Sequence, residues 1–177
     1  LDGGYILGGY TYSDSSGDVS EHTRGDYDYW IVKTDLVGNK IWDKRFGGDR
    51  AEYLYSLQQT SDGAYIIGGW TISDSSGDVS ENTHGFGYYD YWIVKIDSLG
   101  NKIWDKRFGG SYNDDLFSLR QTSDGGFILG GYSNSDSTGD VSQHTQGGYD
   151  YWIIKIDALG NKQWDKRYGG SDRDYLF

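Results

Sequence analysis

The sequence predicts an all-β fold of tandem four-stranded antiparallel units, and three observations carry that prediction. The chain repeats itself three times, its apolar positions follow a two-residue period, and Gly, Asn and Asp punctuate it at short intervals with no Pro.

The repeat is read first. GNKIWDKRFGG occupies residues 38–48 and again 100–110, and GNKQWDKRYGG occupies 160–170, at offsets of 62 and 60 residues. DYWIVK from Asp28 and Asp90 and DYWIIK from Asp150 keep those offsets, whereas SDSSGDVS from Ser13 and Ser73 and SDSTGDVS from Ser135 lie 60 and 62 apart. A two-residue insertion near Gly87 and Tyr88 accounts for the difference, and an insertion tolerated there implies an exposed loop. The units are expected at 1–61, 62–123 and 124–177, the last incomplete, as one continuous repeat domain.

Within a unit the elements follow in order. Tyr91, Trp92, Ile93 and Val94 put β-branched and aromatic residues on both faces, as in a strand buried on two sides. The turn Ser98-Leu99-Gly100-Asn101 interrupts it. Residues 102–108 follow, with Trp104 and Phe108 on one face and Ile103, Asp105 and Arg107 on the other, the pattern of a more exposed strand. Gly109-Gly110 ends that run. Residues 116–122 alternate as a further strand, Ser123-Asp124-Gly125-Gly126 makes a turn, and 127–132 form the next strand. No stretch shows a 3.6-residue period with caps. The strands 116–122, 127–132, 149–157 and 162–168 therefore read as one blade of a β-propeller. The alternative is a stacked β-solenoid, in which units add strands to one ribbon.

Composition excludes several classes. Leu, Ile, Val and Phe supply 36 of 177 residues, but 7 Trp and 17 Tyr add a second apolar reserve, each ring able to bury roughly 150–250 Å². No apolar run approaches the ~18 residues of a membrane span, and the first residues lack a basic and then apolar leader pattern. A net charge of −11 opposes phosphate binding, so nucleic acid is not an expected partner. The absence of Cys removes disulfides, zinc thiolates and thiol nucleophiles.

The acidic loops are the clearest candidate site. Asp14, Ser16, Asp18 and Ser20, then Asp74, Ser76, Asp78 and Ser80, then Asp136, Thr138, Asp140 and Ser142 place oxygen at every second position of a Gly-containing loop. Such oxygens can converge on Ca²⁺, which takes six to eight of them, and Asp28, Asp90 and Asp150 are candidate further ligands. The loop is not an EF-hand, because Val19 stands where that motif needs Gly and Gly25 where it needs Glu. The bland alternative is that Ser, Asp and Gly simply make turns.

Catalytic patterns are weaker. His22 and His144 align with Asn82, while His84 aligns with Arg24 and Gln146, so no repeated histidine position exists and a surface polar role is expected. No carboxylate spacing picks out an acid and a nucleophile, and turns such as Gly8-Gly9 and Gly47-Gly48 lack the Lys-Ser/Thr of a phosphate loop. Among the aromatic residues, Trp30, Trp92 and Trp152 recur in register and are expected to pack between units. The non-repeated Tyr88 and Tyr89 are the candidates for a sugar-stacking surface.

The run GGSYNDDLFSLRQTSDGGFILGGYS, followed by SDSTGDVS and DYWIIKIDALGNKQWDKRYGG, resembles the tandem propeller-like repeats of secreted and surface proteins of Bacteroidota exported by the type IX system. The resemblance covers essentially the whole chain and implies an extracellular or cell-surface location, but no chemistry. No sorting domain, signal peptide or linker accompanies it, so the chain reads as an excised or mature repeat block. Its ends, the turn at Asp2-Gly3-Gly4 and the segment 174–177, read as two parts of one blade. The sequence thus leads to a non-enzymatic, extracellular, calcium-stabilised β-repeat module with a structural, adhesive or self-assembling role, partnered by copies of itself or by neighbouring repeats. The alternative is a lectin-like propeller that binds glycans.

Overall fold

A computed structural model describes residues 3–177, so the turn expected from Asp2 lies partly outside the described residues. They form eleven β-strands and no helix: β1 (Ile6–Thr11), β2 (Asp28–Thr34), β3 (Lys40–Phe46), β4 (Glu52–Gln59), β5 (Tyr65–Thr71), β6 (Asp90–Ile96), β7 (Lys102–Phe108), β8 (Asp114–Gln121), β9 (Phe127–Ser133), β10 (Asp150–Ile156) and β11 (Lys162–Tyr168). Every neighbouring pair is antiparallel, in three separate sheets ordered β1-β2-β3, β4-β5-β6-β7 and β8-β9-β10-β11. The four strands expected to make one unit from 116 to 168 do share a sheet.

Short side-chain-capped turns set this pattern. In the turn after β6, the Asp97 carboxylate accepts 2.8 Å hydrogen bonds from the N–H groups of Leu99 and Asn101, and Gly100 takes a φ of +84°. Only Gly enters that left-handed region freely. Asp35 and Asp157 repeat the arrangement.

The sheets pack face to face, with the middle one covered on both sides. Each residue of β5 is buried, and so is each of β6 except Lys95. Odd-numbered Tyr91 and Ile93 enter the core shared with β8–β11, while even-numbered Trp92, Val94 and Ile96 enter the core shared with β1–β3. That two-sided use is what the apolar run 91–94 predicted, and it follows from the alternation of side chains along a strand.

The strand at 102–108 departs from expectation. Ile103 is exposed, but Asp105 and Arg107 are 6% and 2% exposed, because the acidic loop of the same unit folds back over them. Period-two alternation marks a face as polar but not as uncovered.

Candidate functional site at the sheet junctions

Each acidic loop is first tied to its own sheet. The Arg107 guanidinium donates to the Asp90 carboxylate at 2.6 Å and to the carbonyl oxygens of Ser73 and Thr71, anchoring the loop's start. The Asp105 carboxylate accepts from the Trp92 indole at 3.1 Å and from the Ser80 N–H at 2.9 Å, anchoring its end. Arg45 with Asp28, and Asp43 with Trp30 and Ser20, repeat this in the first unit. In the third, Trp152 and the Ser142 N–H donate to Asp165, and Arg167 donates to the Ser133 carbonyl. Burial raises the Asp43 carboxyl, but the Ser20 N–H, the Trp30 indole and Lys40 outweigh it and hold the group at about 2.

Held this way, the loop reaches across to the preceding sheet. The Asp78 N–H donates to the Gly47 carbonyl at 2.9 Å, and the Gly47 N–H donates back to the Asp78 carboxylate at 3.2 Å. The N–H groups of Asp49 and Arg50 donate to the hydroxyls of Ser76 and Ser73 at 3.0 and 2.9 Å. At the next junction Asp140 clasps Gly109 with bonds of 2.8 and 3.3 Å, and the N–H groups of Ser111 and Tyr112 donate to Thr138 and Ser135 at 3.0 and 2.9 Å. Two junctions, 62 residues apart in sequence, are closed by the same bonds.

Charge reinforces the clasp differently at each junction. Arg24 approaches Asp78 at 3.3 Å, whereas His84 lies 3.4 Å from Asp140 and 3.3 Å from Asp90. The hydrogen bond to Asp90 raises the His84 imidazole above its ordinary value despite burial. Beneath the Gly-Gly turns, Glu52 and Asp114 accept from the N–H groups of Gly48 and Gly110 at 2.8 and 2.7 Å. Burial raises Glu52, and it pushes Asp114 up to about 8.

Below the clasp, apolar contacts recur in the same order. The hydroxyls of Tyr29 and Tyr91 donate at 3.0 Å to the carbonyls of Trp92 and Trp152, with ring centroids 4.7 and 4.8 Å apart. A Cβ built on Gly8, Gly68 or Gly130 would lie 2.6, 2.7 or 2.9 Å from a methyl of Leu54, Leu116 or Leu176, so each Leu fills the space of a missing side chain. Gly100 and Gly160 pack on the rings of Trp42 and Trp104.

The oxygens expected to share calcium are not brought into one shell. Asp14, Asp74 and Asp136 accept from the N–H groups of Thr23, Thr83 and Thr145 across their own loops. The hydroxyls of Ser16, Ser76 and Thr138 donate to the carbonyls of those same aspartates. Asp78 and Asp140 point to the preceding sheet, Asp18 is exposed, and Ser20, Ser80 and Ser142 contribute their N–H groups. Asp28, Asp90 and Asp150 are buried, each with one oxygen unpartnered and packed on Gly47, Gly109 or Gly169. Among the described residues no group of three or more His, Cys, Asp or Glu side chains is placed to hold a metal ion.

Of the aromatic residues in and before β2 and β6, Tyr29, Tyr91 and Trp92 are sealed in the core. Tyr89 leans on Trp70 at 4.3 Å, and Tyr88 is exposed edge-on to Tyr112 at 5.2 Å. His22 and His144 lie at the surface 2.9 Å from Asp14 and Asp136. The residues that sequence reasoning passed over are Arg45, Arg107 and Arg167 with Asp43, Asp105 and Asp165. Their signal was available, since they recur in register inside strands, where an unpaired charge would be costly.

No family model matches the chain. It is 27% identical over 173 residues to the regulatory protein FlaEY of Caulobacter vibrioides, an alignment covering 93% of this chain but 18% of that protein. The chain thus spans under a fifth of this relative's length.

Proposed function

We propose that the chain is a non-enzymatic structural repeat module, built of propeller-type blades, that acts outside the cell in adhesion or assembly. One observation carries the reading: the loop Asp and Ser or Thr side chains make the same clasp on the preceding sheet at both junctions. A site that serves one reaction needs one arrangement, whereas a joint between repeats needs the same arrangement every time. The blade reading is favoured over a solenoid because the sheets remain separate and the first strands β4 and β8 of successive sheets contact each other. Calcium is left out of this reading, since backbone donors reach Asp14, Asp74, Asp136, Asp78 and Asp140. The name of the FlaEY relative adds no activity to it.

The test is a clasp variant. Ser76→Ala with Asp78→Ala should lower unfolding free energy by about 1–3 kcal/mol, the range for hydrogen bonds that include a charged partner. Unchanged stability would remove the structural reading, and protease accessibility on intact cells tests the surface location.

A second reading, glycan binding, rests on the exposed pair Tyr88 and Tyr112, which lies outside the junction cores. Binding on a glycan array that is lost in Tyr88→Ala with an unchanged melt would favour it.

A further inference from the structure

The clasp and the core recur at both junctions, but one row of side chains does not. At the first junction the Tyr53 ring lies 4.3 and 5.0 Å from the rings of Tyr10 and Tyr27 on the first sheet and stacks at 4.4 Å on Trp70 of its own. Tyr175, in register with it, lies 4.8 and 5.6 Å from the rings of Tyr132 and Tyr149. At the second junction the equivalent position belongs to Asp115.

Asp115 follows the backbone path of Tyr53. Its carbonyl oxygen would lie 1.9 Å from a Cβ built on Gly131, as that of Tyr53 would lie 1.8 Å from one on Gly69. It pairs with Tyr132 as Tyr53 pairs with Trp70. The 2.7 Å bond from the Asp114 N–H to the Tyr89 carbonyl sets it against the second sheet, where the rings of Tyr89 and Trp70 lie 4.3 Å apart. One carboxylate thus stands where the first junction carries a whole ring, with Trp70 and Tyr89 on one side and Tyr132 on the other. Asn134, in register with Tyr12 and Ile72, lies two residues beyond Tyr132 and therefore on the same face of the third sheet.

These polar groups are short of donors. Asp115 is 7% exposed, yet among the described residues its carboxylate accepts no hydrogen bond and pairs with no Lys, Arg or His. The Asn134 Oδ1 atom is likewise buried without a partner. Acceptors left unmade in the interior are costly, and a lone charge there more so. Burial pushes the Asp115 carboxyl up to about 7, and the titratable groups that face it, the phenols of Tyr55, Tyr91 and Tyr132, bring no positive charge. A joint does not require this arrangement, since Tyr53 closes the first junction without it. We infer that the second junction binds a small primary alkylammonium ion, with the Asp115 carboxylate and Asn134 Oδ1 accepting its N–H groups and the rings of Trp70, Tyr89 and Tyr132 around its charge and alkyl part. Ring faces attract a cation, and an ionised acceptor strengthens each hydrogen bond to it.

Butylammonium chloride is the probe. An NMR titration should give saturable shifts at Asp115, Tyr89 and Tyr132, and the affinity should rise as pH is raised through 7, because only the ionised carboxyl pairs with the cation. Tetramethylammonium, which has no N–H, should bind about tenfold more weakly, and Asp115→Asn should weaken butylammonium by a similar factor, the worth of a hydrogen bond to a charged group. Asp115→Tyr restores the ring of the first junction. It should melt at or above the parent and lose the site, although it removes only one of 27 acidic side chains. A cation held merely by the acidic charge of the chain would bind that variant as it binds the parent. That result, equal binding of tetramethylammonium, or an Asp115→Tyr variant that melts below the parent overturns the proposal.

Discussion

The hydroxyl of Tyr91 donates a 3.0 Å hydrogen bond to the carbonyl oxygen of Trp152, joining two sheets across 61 positions of sequence. Both residues are fully buried, and burial raises the Tyr91 phenol well above its ordinary value. A buried hydroxyl without that carbonyl would be costly, so the bond fixes how far one sheet can slide over the next. Tyr29 and Trp92 set the preceding junction in the same way.

Truncating the aromatic partner tests this joint. Trp92→Ala should lower unfolding free energy by about 3–5 kcal/mol, the range for large aromatic groups removed from a core. Trp30→Ala should cost visibly less under monomeric conditions, because Trp30 is only half-buried. Urea unfolding of both variants measures the difference, and equal losses would contradict the assignment.

A second contrast uses glycine. Gly69→Ala and Gly131→Ala would drive a methyl into the carbonyls of Tyr53 and Asp115, beside the bulges at Leu54/Ser56 and Leu116/Ser118. Each should cost about 1–3 kcal/mol or more through backbone displacement. Gly9→Ala, with open space around it, should leave the melting temperature of the monomer where it was.

Calcium and chelator should give superimposable thermal melts, because Asp14, Asp74, Asp136, Asp78 and Asp140 already accept hydrogen bonds from backbone N–H groups. Asp14→Ala, Asp74→Ala and Asp136→Ala together should lower stability through lost loop hydrogen bonds. That loss should be the same with and without calcium. Stabilisation by calcium that vanishes in the triple variant would restore a metal site.

Stability should fall as pH rises from mildly acidic to alkaline. Burial holds Asp114 at about 8 against an ordinary 3.8, so the folded state binds more protons between those values. His84, raised above 6.5 chiefly by Asp90, adds stability that is present below that value and lost as pH rises through the folded one. On the acid side the sign reverses. Asp62, lowered to about 2 first by the Thr60 hydroxyl, and Asp43, also at about 2, lose their contribution as pH falls from 3.8. Melting temperature against pH should show both limbs, and Asp114→Asn should flatten the alkaline one alone.

Much of the fold was legible because it is local. The two-sided run Tyr91 to Val94, the Asp97 to Asn101 turn and the in-register recurrence of both specify strands and turns through neighbours in sequence. The site was half legible. The acidic loops stood out, but their alternating oxygens fit a cation shell and a hydrogen-bonded clasp equally well, since composition does not say where a carboxylate points. Tyr88 stood out as an insertion and is exposed, whereas nothing in the sequence separated it from Tyr89, which packs on Trp70.

The sequence by itself determined the strands, the turns and the threefold repetition, because backbone propensity and side-chain alternation act over a few residues. Only the tertiary structure decided that Asp78 and Asp140 clasp the glycine turns of the preceding sheet, that Arg107 and Asp105 are buried, and that Leu116 fills the space over Gly68. Those outcomes depend on how two sheets about sixty residues apart are brought face to face, and a hydrogen bond across such a junction leaves no mark on local spacing.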